Sequence, residues 1–119
     1  MNQVSCYYFT TASGRSPVEE FIEKLEPGSQ RKFFYVMGLL QSFGHRLPAP
    51  HAKYLGDDIF ELRFSGQEGA VWVLYFFFHK DRAVFTNGFL KKTNKTPARE
   101  KMQAVERRRI YLESIEREL

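Results

Sequence analysis

Residues 70 to 78 read Ala-Val-Trp-Val-Leu-Tyr-Phe-Phe-Phe, a run with no charged side chain, bounded by Gly66 and Gly69 before it and by His79 to Arg82 after it. Successive residues of a strand point to opposite faces. A strand with no polar face must therefore be covered on both sides. The run is far short of the roughly 20 apolar residues that a membrane helix requires. It is expected to be the central, covered strand of a sheet.

The neighbouring segments supply the rest of that sheet. Residues 59 to 64 alternate, with Phe60, Leu62 and Phe64 on one face and Glu61 and Arg63 on the other. Residues 83 to 90 form the next strand, and the loops between the three are short, which implies an antiparallel meander. Residues 5 to 10 read as a further short strand. Helices are expected elsewhere. Ser16, Pro17 and Glu19 form a helix start with a capping box, and Val18, Phe21, Ile22 and Leu25 recur at helical spacing. Pro27-Gly28 is read as the end of that helix. Ser29 then caps a second one, with Phe33, Val36, Met37 and Leu40 as its apolar stripe and Gly44 at its end. Pro48 and Pro50 impose an extended connection. Thr96 is read as the cap of a last helix, with Pro97 in its first position. Ala98, Met102, Val105, Leu112, Ile115 and Leu119 share one arc of that helix. The order β, α, α, β, β, β, α predicts an α+β fold: one domain over residues 1–119, with a small antiparallel sheet, an N-terminal helical hairpin and a C-terminal helix.

Charge is unevenly distributed. Residues 1 to 90 hold nine Lys/Arg and nine Asp/Glu, so the whole excess of +4 falls in residues 91 to 119. A basic segment on an otherwise neutral domain attracts polyanions, of which nucleic acid is the usual one; a solvated helix face is the alternative. The one cysteine, Cys6, excludes an intrachain disulfide and fits a reducing compartment. With neither a signal-peptide pattern nor a membrane span, a soluble cytoplasmic protein with no membrane association is expected. There is no glycine-rich phosphate loop, no His-Glu-x-x-His, no Cys/His cluster and no Gly-x-Ser-x-Gly elbow. His45, His51 and His79 are scattered, so neither a metal site nor a cofactor is expected. Any chemistry must run on Lys, Arg, Glu, Tyr and a histidine.

Four stretches carry a resemblance: Lys53-Tyr54-Leu55-Gly56, Ile59-Phe60-Glu61-Leu62-Arg63, Val73-Leu74-Tyr75-Phe76-Phe77, and the most specific, Asn87-Gly88-Phe89-Leu90-Lys91-Lys92-Thr93-Asn94-Lys95-Thr96-Pro97. Together they resemble the phage-derived HigB-like toxins of the RelE superfamily, over nearly the whole chain from Tyr7 to about Tyr111. The resemblance implies the toxin of a type II toxin–antitoxin system. Such a protein is a ribosome-dependent messenger RNA endoribonuclease, silenced by a helix-turn-helix antitoxin of the HigA-like kind. It also implies a RelE-like fold.

Metal-independent RNA cleavage fits the available side chains. The ribose 2′-OH attacks the adjacent phosphate, which requires a base, cations on the developing phosphorane and an acid for the leaving oxygen. Crowded cations lower a lysine's pKa toward a useful base, while arginine stays charged and clamps phosphate. Arg63 is the first candidate, as the phosphate-stabilising arginine the resemblance implies; the alternative is a surface arginine paired with Glu61. Lys91 and Lys92 leave the sheet together and point opposite ways, so one of them is expected to face substrate, and the alternation does not say which. Lys53, placed in the loop before the sheet, is an RNA contact by resemblance. His51 is a candidate for proton transfer or RNA contact, and Lys95 a candidate RNA contact within the basic motif. Trp72 stands where the family pattern commonly carries an arginine. Its absence removes a phosphate-stabilising cation. Trp72 is read as packing in an apolar patch, with base stacking as its alternative RNA-binding role. Phe89 is read as packing beneath the lysines or as a stacking platform, and Arg107 and Arg108 as an RNA-facing or antitoxin-facing helix surface. The competing function is a catalytically weakened module that binds RNA, ribosome or antitoxin without cutting.

Overall fold

The computed structural model describes residues 2–92 and 95–118. It shows three α-helices and a five-stranded, mostly antiparallel sheet, an α+β fold. Strand β1 (Ser5–Tyr8) is followed by α1 (Pro17–Glu23) and α2 (Pro27–Phe43), a single 3₁₀ turn (Gly44–Arg46), β2 (Ala52–Gly56), β3 (Ile59–Gly66), β4 (Gly69–Phe78), β5 (Arg82–Leu90) and α3 (Ala98–Glu118). The strand order is β1-β5-β4-β3-β2, with the apolar run at the centre as its sequence demands. No described helix is long and apolar enough to cross a membrane.

Both faces of β4 are covered. On one side Val71, Val73 and Tyr75 join Leu62, Phe64 and Phe85 beneath Val18 and Ile22 of α1 and Phe33, Val36 and Leu40 of α2. On the other, Leu74 and Phe76 join Phe9, Ile59 and Val84 beneath Ala104 and Tyr111 of α3. Each buried large apolar side chain contributes about 1.5–3 kcal/mol, so this two-sided burial dominates the stability of the sheet.

Several expectations need correction. Residues 52 to 56 are a fifth strand and not a loop: β2 pairs with β3, so Lys53 lies on an edge strand opposite Glu61. Prolines at 48 and 50 and a single exposed lysine hid the short strand. Strand β1 pairs in parallel with β5, because α1 and α2 return the chain across the sheet before β2 begins. The capping box at Ser16 does not form: Ser16 Oγ is buried and has no hydrogen-bond partner among the described residues. Pro27 begins α2 and does not close α1, since proline suits the first helical turn. Ser29 therefore sits inside the first turn of α2.

The last helix departs most. Lys101 N–H donates to the Pro97 carbonyl, so Pro97 is the cap, while Thr96 sends its hydroxyl to Glu61. The side that packs on the sheet carries Ala104, Arg107 and Tyr111; Met102, Val105 and Ile110 are exposed. Apolar periodicity thus chose the wrong arc, because α3 docks through Ala104, Tyr111 and the buried part of Arg107, with ion pairs beside them. Lys101 and Arg108, two turns apart, reach Asp57 and Asp58 at 3.1 and 3.3 Å. Those aspartates form the β2–β3 turn with φ of +55° and +64°, the left-handed pair a tight hairpin requires. Leu119 lies outside the described residues.

Ser29, fully buried, fastens α2 to the β3–β4 turn. Its hydroxyl donates to the Glu68 carboxylate and accepts the Gln67 N–H at 2.7 Å. This hydrogen bond from Ser29, followed by one from the Glu26 N–H, holds the Glu68 carboxyl below the usual carboxylate range. Gly66 permits the approach: a Cβ there would lie 2.7 Å from Ser29 Cβ. Gly66→Ala is expected to destabilise the protein by about 1–3 kcal/mol through overpacking. Urea denaturation measures it, and an unchanged midpoint would show that the turn can shift away from α2 freely.

Candidate functional site

The α3 side of the sheet is a grid set by register. The His51 carbonyl accepts the Arg63 backbone N–H at 2.8 Å, Arg63 lies opposite Trp72, and Trp72 lies opposite Phe89. One step along, the row reads Lys53, Glu61, Leu74 and Asn87. One step the other way it reads Ser65 and Ala70, and the Lys91 N–H donates to the Ala70 carbonyl at 2.9 Å. The grid depends on a bulge in β5 after Phe85, which turns Asn87 and Phe89 to this side while Phe85 faces the helical hairpin.

At the strand ends this grid opens into a cleft of about 370 Å³ lined by Lys32, Pro50, His51, Arg63, Phe64, Ser65, Ala70, Trp72 and Lys91. Its size lies within the roughly 300–1,000 Å³ of small-molecule sites. Two lysines, an arginine and a histidine line it, and no carboxylate does. Such a surface concentrates anions, above all polyanions. Lys91 enters the cleft. Lys92 points elsewhere, lining a separate groove with Phe89, Pro97, Arg99 and Glu100.

Arg63 is anchored without being used up. Its Nε donates to Glu61 Oε1 at 2.6 Å, and Glu61 is fully buried while the arginine side chain keeps 30% exposure. The second Glu61 oxygen accepts the Thr96 hydroxyl. The expected pairing with Glu61 and a place in the cleft therefore coexist. The guanidinium carbon also lies 4.8 Å from the centre of the Trp72 ring, and the Lys91 ammonium 5.2 Å from the same centre. Such contacts are worth about 0.5–2 kcal/mol each. Phe89 meets the indole edge-on, with centroids 5.9 Å apart. Trp72 is only 4% exposed, so it packs as expected and offers no open face for stacking a base.

Other candidates are placed differently. Lys53 is exposed on β2, on the same sheet face, one row from the cleft. Lys95 is exposed, and Thr93 and Asn94 of the basic motif lie outside the described residues. Arg107 is not a free RNA contact: it donates to the Thr86 carbonyl at 2.8 Å, inside the β5 bulge, and covers the Phe9 ring. Arg108 is committed to Asp58. Lys32 was missed by sequence reasoning. It precedes the core residue Phe33 on α2, and only the sheet position of that helix tells which edge of the apolar stripe meets a cleft. Cys6 offers no nucleophile, because burial pushes its thiol up to about 12.

Breaking the anchor has a stated cost. Arg63→Ala strands the Glu61 carboxylate in the sheet and should cost about 3–5 kcal/mol. Adding Glu61→Gln should restore most of it, as a thermal melt of the single and double variants would show; equal melts would mean that Glu61 does not depend on Arg63.

Comparison with known families supplies one match: the model of the family described as phage derived protein Gp49-like (DUF891) covers residues 20–109. That span runs from α1 through the whole of β2–β5 and into α3. No curated protein matches the chain.

Proposed function

We propose a function for a chain that belongs to the phage-derived Gp49-like protein family: it is the toxin of a toxin–antitoxin pair and cuts messenger RNA on the ribosome. The supporting observation is the convergence of Arg63, Lys91, Lys32 and His51 on one open cleft with no carboxylate in its lining. The resemblance to HigB-like toxins implies the ribosome as the place of action and a helix-turn-helix antitoxin as the partner.

In this mechanism the ribose 2′-oxygen attacks the adjacent phosphorus. A 2′-O–P bond forms as the 2′-OH gives its proton to the base, the P–O5′ bond breaks, and an acid delivers a proton to O5′. Arg63, fixed by Glu61, stabilises the phosphorane through its free guanidinium edge. Lys91 is the base or the second charge clamp, a role in which Lys92 has no part. His51, in the cleft lining beside Arg63, is the proton carrier. Lys32 and, one row away, Lys53 hold the flanking phosphates.

A second reading has its own support. Trp72 fills the place where the resemblance implies an arginine, and it brings no charge to the cleft. A module that binds RNA, ribosome or antitoxin without cutting would follow.

Purified protein added to translating ribosomes separates the two. The nuclease reading expects cut messenger RNA with 2′,3′-cyclic phosphate and 5′-hydroxyl ends. It also expects cleavage to fall about 10²-fold or more in Lys91→Ala and in the Glu61→Gln/Arg63→Gln double variant, as for loss of a transition-state charge partner. Intact messenger RNA with retained ribosome binding would establish the binding module instead.

A further inference from the structure

Trp72 occupies an unusual position between two cations. Arg63 from β3 and Lys91 from just beyond β5 both lie over its ring, on a side chain of the strand between them, while Phe89 meets it edge-on. Both like charges are drawn to this one side chain, and each has few other anchors among the described residues. Arg63 is held only through Nε, and the Lys91 ammonium makes no ion pair among the described residues.

An aromatic anchor differs from a carboxylate in one respect that matters here. A carboxylate would fix the lysine but cancel its charge and compete with a phosphate. The π face of an indole attracts a cation while adding no net charge. We propose that Trp72 is the positioning residue of the cleft: its indole holds Arg63 and Lys91 at one fixed spacing, so that both charges stay available to a single phosphodiester. The proposal rests on the RNA-directed reading above and adds a part to it. Burial of the ring is then functional, because an indole free to swing toward solvent could not set the spacing.

Binding of a single-stranded RNA oligonucleotide, followed by fluorescence anisotropy over a range of salt concentrations, tests this. Trp72→Leu keeps an apolar filler but removes the ring, and should weaken binding about tenfold, the loss of two cation–π contacts. Trp72→Phe keeps a ring and should rescue most of it. The salt slope should be unchanged in both, because the number of phosphates neutralised is the same, whereas Lys91→Ala should reduce that slope by about one. Equal affinities for the Leu and Phe variants, or a slope that falls in Trp72→Leu, would overturn the proposal.

Because Trp72 is the sole tryptophan, the unaltered protein provides a second measurement should the Leu variant fail to fold. Its emission should change on adding RNA, with the midpoint found by anisotropy, as a phosphate arrives beside the two cations that the ring holds. An emission that stays constant at saturating RNA overturns the positioning role. If Lys91→Ala and the Glu61→Gln/Arg63→Gln double variant bind RNA as tightly as the unaltered protein, the cleft itself is not the RNA site and the proposal falls with it. If they lose binding while Trp72→Leu does not, only the role given to the ring fails.

Discussion

A fully buried carboxylate, Glu61, ties together the parts of this molecule that matter most for its site. Removing a carboxylate from water is costly unless its oxygens are matched by donors. Here one oxygen takes the Arg63 Nε–H and the other the Thr96 hydroxyl. The first contact orients the arginine that reaches the cleft. The second fixes the chain just before α3, so the helix enters against the sheet at a defined point. One side chain thereby links the interior of β3, the cleft at its end and the placement of the helix that covers the second face.

Part of the basic C-terminal region is engaged within the fold. Lys101 and Arg108 hold the two aspartates of the β2–β3 turn, Arg107 enters the β5 bulge, and Arg109 is enclosed by Glu106 and Glu113, which raise its pKa further. Net charge along a sequence is therefore a poor guide to where the field is strong. The cations of the cleft are drawn from α2, β3 and the end of β5, elements far apart in the chain, and the surplus in residues 91–119 supplies one of them, Lys91.

Much of this was legible beforehand, and the reasons are specific. The two-sided apolar run announced β4 at the centre, and the strict alternation of residues 59–64 placed Arg63 on a face away from the helical hairpin. The spacing of Phe33, Val36 and Leu40 gave the buried side of α2. What could not be read was decided by tertiary contacts. Short β2 exists because an edge was available on β3, and its sequence carries little strand signal of its own. The docking face of α3 is made by Ala104, Arg107 and Tyr111, against the apolar pattern of the helix. The choice between Lys91 and Lys92 turns on where β5 ends and on a bulge at Thr86, neither of which has a sequence signature. Lys32 belongs to the cleft only because the Ser29 latch brings the start of α2 to the β3–β4 turn.

The parallel pairing of β1 with β5 sets an order of events during synthesis. Ser5 finds its partner only in Arg82, so the first strand made must wait, unpaired, until the last strand has left the ribosome. Closing so long a loop is slow compared with forming the local hairpins β2–β3 and β3–β4. Lys91 emerges later still, one residue beyond β5. A growing chain thus carries an incomplete cationic cleft until Lys91 has followed β5 out of the ribosome.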